Sequence, residues 1–594
     1  MNDGPHARWR SLPPEGELRD APGKAGSRAP LNLEATVPGP AAEASPSDAS
    51  TLRDHFASRR HFLGAALAAP AILTGCAKPA DWRTRVDGRW IGDNAALGHR
   101  VRDQAPGVAG SAAAHPPAGV RERRCDVLVV GSGIAGLSAA RTLQRAGITD
   151  FAVLELETEA GGNSRGHAMH GLRCPLGAHY LPLPGPSAPD IQAWLVEIGL
   201  ARQTPAGLKW DERQLCHSPQ ERLFIDGRWQ DGLLPNVPRA SATQAQYRVL
   251  AKAIADAGRI GFALPTARAP WTPAHAALDG VTAAAWLRAQ GLVDPLVLAY
   301  LDYCCRDDYG ASSDTVSAWA LVHYFASRHG FSAPGDDTND RDPVLTWPDG
   351  NAPLVQALRQ PCGDRVHTGR AVFRIDEGLH EINAWAFAGA DVERWTARHV
   401  IVATPLFIAA HILGAPPAPL VAVTRQQRRS PWMVANLRLD DLPLDRVGAP
   451  LSWDNVIHGS PSLGYVDAQH QSLGRVVGER LFTAYWAFKD LDRKRLLQMS
   501  WQDATQLILD DLRAVHPDLS ERLVQVDIVR HGHAMAIPTP GLRSSAALAA
   551  IPDSAARVSF AHADLSAYSV FEEAFTRGDA AGRRVARSLG RVVA

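Results

Sequence analysis

The feature that most restricts this chain is a short glycine pattern in a particular setting. Cys125-Asp126-Val127-Leu128-Val129-Val130 is an apolar, β-branched run, as expected of a strand buried on both faces. It passes directly into Gly131-Ser132-Gly133-Ile134-Ala135-Gly136, and Leu137 to Ala146 reads as a helix. In such a strand–turn–helix the first glycine permits the tight turn, the second lets backbone approach a pyrophosphate, and the third lets helix and strand pack closely. The pyrophosphate then sits on the helix N-terminus, where unsatisfied N–H groups and the helix dipole favour negative charge. A second strand, Phe151-Ala152-Val153-Leu154, ends at Glu155, 19 residues past Gly136, close to the offset at which an acid takes the ribose hydroxyls. Glu157 competes for that role two residues further on. A carboxylate there repels a 2′-phosphate, which argues against NADP.

Glu155 is followed, after five residues, by Gly161-Gly162-Asn163-Ser164-Arg165, a doublet that a nicotinamide site does not require. With it, the sequence resembles the flavin-containing amine oxidase superfamily, which includes monoamine oxidases, phytoene desaturases and protoporphyrinogen oxidases. The resemblance implies FAD, with Gly161 and Gly162 continuing its pyrophosphate and ribose site. In the family an Arg follows the doublet directly; here Asn163 stands in that place and Arg165 is the phosphate-contact candidate.

Further segments carry the likeness. Leu176-Gly177-Ala178-His179-Tyr180 matches the Gly-rich strand that passes the flavin ring, and Trp347-Pro348-Asp349-Gly350-Asn351 followed by Leu354 to Leu358 matches a glycine turn plus helix. Val372 occupies the place of the valine whose backbone meets adenine, and Val400 to Pro405 matches the strand and turn that close the middle segment. Phe560-Ala561-His562-Ala563-Asp564 sets Asp564 where a carboxylate meets the ribityl or phosphate region, ahead of a helix over 569–589.

The implied fold class is α/β. A discontinuous, Rossmann-like FAD-binding domain (123–190, 350–415 and 530–594) is interleaved with an α+β substrate domain (191–349 and 416–529). The implied activity is FAD-dependent oxidation of a small organic substrate, an amine among the options, by hydride transfer to the flavin. Catalytic candidates near the ring are His179, Tyr180, His531 and His533; for each histidine the alternative is a satisfied polar group in a turn. Tyr303-Cys304-Cys305-Arg306-Asp307-Asp308-Tyr309 reads as a substrate-binding cluster or as a capped helix end with local ion pairs.

The family's amine oxidases commonly place a lysine near the flavin's reactive nitrogen. The matching strand here, Trp432 to Leu437, has none, and no lysine occurs between Lys252 and Lys489. That keeps open a desaturase or dehydrogenase on an apolar substrate with an acceptor other than oxygen. A non-catalytic flavoprotein acting as a binding partner in the cell envelope is a third reading. The family's usual cysteine for covalent flavin attachment is vacant, the last being Cys362. Neither Cys304-Cys305 nor the scattered histidines give zinc-ligand spacing, and no metal site is expected.

Ahead of these segments, residues 1–56 are rich in Pro, Ala, Gly, Ser and charges, which predicts disorder. Ser58-Arg59-Arg60-His61-Phe62-Leu63, an apolar stretch to Thr74, and Gly75-Cys76 have the three parts of an export signal. The Arg59-Arg60 pair resembles a twin-arginine signal, which exports proteins already folded, and Leu73-Thr74-Gly75-Cys76 resembles a lipobox with Cys76 lipidated. Flavin is loaded inside the cell, so a folded-state route suits a flavoprotein. The expectation is a leader over 1–76 and a protein on the periplasmic side, lipid-anchored, in the outer membrane if the cell is Gram-negative. Ala77 after the cysteine agrees with that last point. Residues 77–122 read as a surface strap pinned by Trp82, Trp90 and Ile91, then a Pro/Ala/Gly linker. Expected partners are a small-molecule substrate and the twin-arginine machinery, with the membrane met through the lipid alone. Acidic and basic residues balance at 62 each, which argues against nucleic acid. Six lysines against 56 arginines fit a GC-rich genome better than phosphate recognition.

Overall fold

The computed structural model describes residues 81–92, 94–103, 120–336, 343–474, 476–555 and 557–592. Arg59, Arg60, Cys76, the leader and the linker over 104–119 lie outside the described residues.

The chain alternates between two sheets. After a short helix at Trp82–Arg85, strand β1 (Asp87–Trp90) belongs to one sheet and β2 (Val120–Val130) to the other. β2 runs into helix α1 (Ile134–Arg145) and strand β3 (Phe151–Leu154), the unit expected from the glycine loop, with β2 starting five residues earlier than its apolar run. β4 (Glu221–Ile225) and helix α2 (Pro295–Tyr309) lie in the excursion that follows. β5 (Asp391–Val402) returns to the first sheet. β6 (Arg429–Leu439), β7 (Asp454–Ile457), β8 (Arg480–Ala487) and β9 (Leu523–Ala536) build the second, and helix α3 (Phe571–Ser588) ends the chain against α1.

The first sheet runs Val366–His367, β3, β2, β5, Ile382–Ala388, Arg370–Glu377, and its central pairs are parallel. The last three residues of β5 also pair in parallel with Val558–Phe560, so the C-terminal segment joins the cofactor layer. Alternation along β2 sends Val127 and Val129 to a core shared with Leu137, Leu143 and Phe575, and Leu128 and Val130 to a second core with Ala384 and Val400. Both faces are buried, as a parallel central strand requires. The fold is thus α/β, a Rossmann-like layer with a second sheet and a helical region beside it.

The second sheet has the order β1, β9, β6, β8, Tyr465–Asp467, β7, β4, Arg228–Asp231. Two features differ from the sequence expectation. Strand β9 runs continuously through the 529/530 boundary, because the apolar alternation that pairs it with β6 does not stop there. The segment around Trp82 and Trp90 is an integral edge strand, parallel to β9, rather than a surface strap; Trp82 is only 4% exposed. Among the described residues no helix is long and apolar enough to cross a membrane.

Candidate active site

The glycine loop is shaped by what its glycines lack. Gly131 has φ +98°, and a Cβ there would sit 2.8 Å from the Ala403 carbonyl oxygen; one on Gly136 would sit 1.9 Å from the Gly131 carbonyl oxygen. A Cβ on Gly133, the N-cap of α1, would instead meet nothing within 4 Å. That leaves open space in front of amide groups at a helix start, where an anion binds.

Glu155 is buried behind this loop. Its carboxylate accepts from the Ser132 backbone N–H at 2.8 Å, the Ser132 hydroxyl at 2.7 Å and the Glu157 N–H at 2.9 Å. Three donors leave acceptor capacity on a carboxylate that has about four lone-pair sites. Glu157 is engaged by other partners: it accepts from the Asn94 N–H at 3.1 Å and stands 3.5 Å from the Arg165 guanidinium. The geometry therefore separates the two candidate acids. Arg165 also donates to the carbonyls of Gly162 (3.0 Å) and Gly92 (2.5 Å), so its guanidinium holds protein segments together.

The other cofactor candidates are gathered around the same loop. The Gly161 N–H donates to the Ser132 carbonyl at 2.9 Å, and a Cβ on Gly162 would approach the Gly133 Cα to 3.2 Å, so the doublet lies on the first loop. A Cβ on Gly177 would stand 2.3 Å from the Asn163 carbonyl oxygen, to which the Ala178 N–H donates at 2.8 Å. Ala178 itself is exposed between buried Leu176 and Leu181. Val372 is buried two residues beyond Arg370, whose N–H donates to the Glu155 carbonyl at 2.7 Å, and the strand register shifts just after it. Asp564 is fully buried; it accepts from the Leu406 N–H at 2.9 Å and pairs with Arg429 of β6. His562 Nδ1 accepts the Asp564 N–H at 3.1 Å.

Two buried oxygens at this site, Asp564 Oδ1 and Thr404 Oγ1, have no hydrogen-bond partner among the described residues. Thr404 adjoins Gly131, whose added Cβ would meet its methyl at 3.3 Å. Orphaned buried polar atoms beside a loop that opens onto free space at Gly133 fit a polar dinucleotide.

The expected Gly-rich strand is broken here: residues 176–179 form a bend between strands Leu172–Pro175 and Tyr180–Pro182, and past Ala178 the chain carries His179 and Tyr180 into an aromatic cluster. The His179 ring lies 5.0 Å from Tyr180, 5.4 Å from Trp453 and 4.6 Å from Tyr485 between centroids. The Tyr485 hydroxyl donates to the Gly177 carbonyl at 3.2 Å, locking the cluster to the Gly-rich bend. The His179 carbonyl accepts from the Thr346 hydroxyl at 2.8 Å, but its ring makes no hydrogen bond among the described residues, and burial pushes the imidazole down to about 3, so it is neutral. Trp453 and Tyr485 were not singled out from the sequence; they reach His179 through the register of the second sheet and have no local signal.

The remaining candidates divide. His531 lies within β9 rather than in a turn; it donates from Nε2 to the Leu176 carbonyl at 2.8 Å, and burial holds it neutral, at about 4. It is a strut under the Gly-rich bend. His533, also neutral by desolvation at about 4, stacks on Phe407 at 4.8 Å, beside Arg429, and is not in the His179 ring cluster. Asn163 donates to the Ala534 carbonyl at 2.8 Å and ties this end of β9 to the glycine doublet. His323 donates to the Ala263 carbonyl in the helical core.

A family model for flavin containing amine oxidoreductases matches residues 134–586. An L-amino acid dehydrogenase of Synechocystis sp. is 24% identical over 306 residues, 51% of this chain; the match spans 61% of that protein's length. Among solved structures, a cyclohexylamine oxidase from Brevibacterium oxydans is similar at 18% identity and a TM-score of 0.58, over 79% of this chain and 100% of that one. A putrescine oxidase bound to putrescine is similar at 17% identity and a TM-score of 0.57, over 79% of this chain and 99% of that one.

Proposed function

The chain belongs to the flavin containing amine oxidoreductase family, and on that premise we propose that it oxidises a small amine beside His179, as an exported protein held outside the cytoplasm by lipid. Its cofactor is FAD. Gly131, Gly133 and Gly136 with the start of α1 would hold the pyrophosphate and Glu155 the ribose. Val372 would lie at adenine, Gly177 and Ala178 along the ring, and Asp564 at the ribityl side. FAD, when bound, supplies the two-electron acceptor to which the substrate's α-hydrogen passes as hydride.

The observation that carries the reading is the neutral ring cluster of His179, Tyr180, Trp453 and Tyr485 just past Gly177 and Ala178. An amine drives loss of its α-hydrogen through its nitrogen lone pair, which an ammonium lacks. Neutral aromatic walls disfavour the ammonium by desolvation, so the free amine is the form this cluster favours. The same walls exclude water from the carbon being oxidised.

The test is anaerobic addition of an amine panel to the purified yellow holoenzyme. Bleaching of the flavin band by at least one amine is expected, and a band unmoved by all of them overturns the reading. Readmitting oxygen then discriminates a second possibility. The lysine-free stretch between Lys252 and Lys489 favours a dehydrogenase; on that reading peroxide forms slowly while an artificial dye restores the band. Export rests on Arg59-Arg60 and Cys76. Substituting both arginines by lysine is expected to retain the protein in the cytoplasm, and Cys76→Ala to release it from the membrane fraction.

A further inference from the structure

In a parallel sheet the ligand crevice lies outside the carboxyl ends of the strands. Three neighbouring ends line up in the cofactor layer. β2 runs out at Gly131 and β5 at Ala403, while Val558–Phe560 runs out at Ala561, whose N–H donates to the Val402 carbonyl at 3.0 Å. The next residue is His562, two strand spacings or about 10 Å from the glycine loop. Glu155, at the end of β3, lies on the other side of β2. A dinucleotide with its ribose at Glu155 and its diphosphate at the loop therefore extends its second half over β5 towards His562. The imidazole is held from one side. Its Nδ1 accepts the Asp564 N–H at 3.1 Å and so caps the turn Ala563–Ser566. Burial, reinforced by the Arg429 guanidinium, pushes the ring down to about 3, so it is neutral. A backbone amide can only donate, so Nδ1 carries no proton and the single ring proton sits on Nε2. Asp564 Oδ1 stands 3.3 Å from Nδ1 yet receives no hydrogen bond, which agrees with that tautomer.

The Nε2–H has no hydrogen-bond partner among the described residues. The side chain is nevertheless 22% exposed while lying deep in the fold, so the ring opens onto internal space. A donor left without an acceptor there is costly, and a bound acceptor relieves that cost. The neighbouring cation, Arg429, is already paired with Asp564. We propose that His562 is a cofactor-holding residue, its Nε2–H donating to an oxygen of FAD on the flavin side of the diphosphate, either a ribityl hydroxyl or a carbonyl of the ring. The Asp564 N–H fixes the tautomer and the direction of the ring, and so acts as the positioning group for this donor. The proposal rests on FAD lying across the glycine loop and is independent of the substrate.

The test separates the two ring nitrogens. His562→Asn keeps an acceptor at the place of Nδ1 and loses the reach of Nε2, whereas His562→Gln keeps the reach and loses the cap. Melting of the full chain without added FAD reads the cap, and flavin release from the holoenzyme on dilution reads the bond to FAD. His562→Asn is expected to melt with the wild type while its FAD affinity falls by about tenfold to a hundredfold. His562→Gln is expected to melt lower and to hold FAD nearly as well as the wild type. The visible band of the flavin still bound in His562→Asn then tells the two acceptors apart: a shifted band upholds a bond to the ring carbonyl, and an unshifted one a bond to the ribityl chain. Wild-type FAD affinity in His562→Asn overturns the proposal. If His562→Asn also melts lower, His562→Gln decides, retention of FAD upholding the proposal and loss of FAD overturning it. A wild type that takes up no FAD overturns the glycine-loop site itself, an outcome distinct from a loss confined to the variants.

Discussion

The glycine loop distinguishes, residue by residue, between positions that protect the fold and those that protect the cofactor. Gly136 abuts the Gly131 carbonyl so closely that any Cβ displaces α1 from β2, whereas Gly133 faces open space. Gly136→Val is therefore expected to lower the melting temperature of the protein with or without FAD. Gly133→Val is expected to leave the far-ultraviolet circular dichroism intact and yield colourless protein, its side chain filling the pyrophosphate's place. A yellow Gly133→Val protein would remove this loop from the site. Glu155→Ala removes the acceptor that holds Ser132, and FAD affinity is expected to fall by about tenfold to a hundredfold, read by flavin release on dilution. The glycine spacing was legible because the turn is local, and Glu155 because its offset is set by one helix and one strand. Arg165 was not: which partner a guanidinium takes depends on Gly92, 73 residues away in sequence, and on the acid it faces.

At the scale of elements, the start of α3 couples the cofactor layer to the helical region. Glu573 accepts from the Thr266 N–H, the Ser566 hydroxyl and the Tyr568 hydroxyl, so it is buried but satisfied. Glu572, its neighbour, is buried without comparable help, and desolvation raises its carboxyl to about 7. The folded state thus binds that proton more tightly than the unfolded chain, whose value is 4.5. The resulting stabilisation is complete below 4.5 and is lost as pH rises from there through 7. Glu572→Gln is expected to melt with the wild type at pH 4.5 and progressively above it from pH 5 to 8, a difference of about 3 kcal/mol at most. Parallel melting curves across that range would show that Glu572 is already ionised in the fold. Helix α3 itself was legible to within two residues at each end, since its apolar stripe is regular. Its close approach to α1 was not, because it depends on Gly578, where a Cβ would stand 2.0 Å from the Ala135 carbonyl oxygen.

Across the whole molecule, the cofactor layer could be read from sequence and the second sheet could not. The first sheet is announced by apolar runs tied to glycine turns, whereas the second assembles strands from 87–90, 221–231, 429–487 and 523–536, whose pairing is fixed by contacts far apart in sequence. The aromatic cluster around His179 depends on that assembly, as Trp453 and Tyr485 come from it. The four-residue β1 is the least legible piece, and it has two separable jobs. Trp82, just before it, donates to Gln506 at 3.1 Å and packs on Trp501 at 5.9 Å, filling the core under β9. Gly92 and Asn94, just after it, accept from Arg165 and donate to Glu157 beside the glycine doublet. Trp82→Ala should therefore destabilise the fold by about 3–5 kcal/mol while the folded fraction keeps its flavin spectrum. Deleting 81–92 should also uncover the edge of β9 and free Arg165, so that the protein both melts lower and loses FAD faster on dilution. Equal FAD retention in the deletion and in Trp82→Ala would show that the N-terminal segment supports only the second sheet and leaves the cofactor cradle to stand by itself.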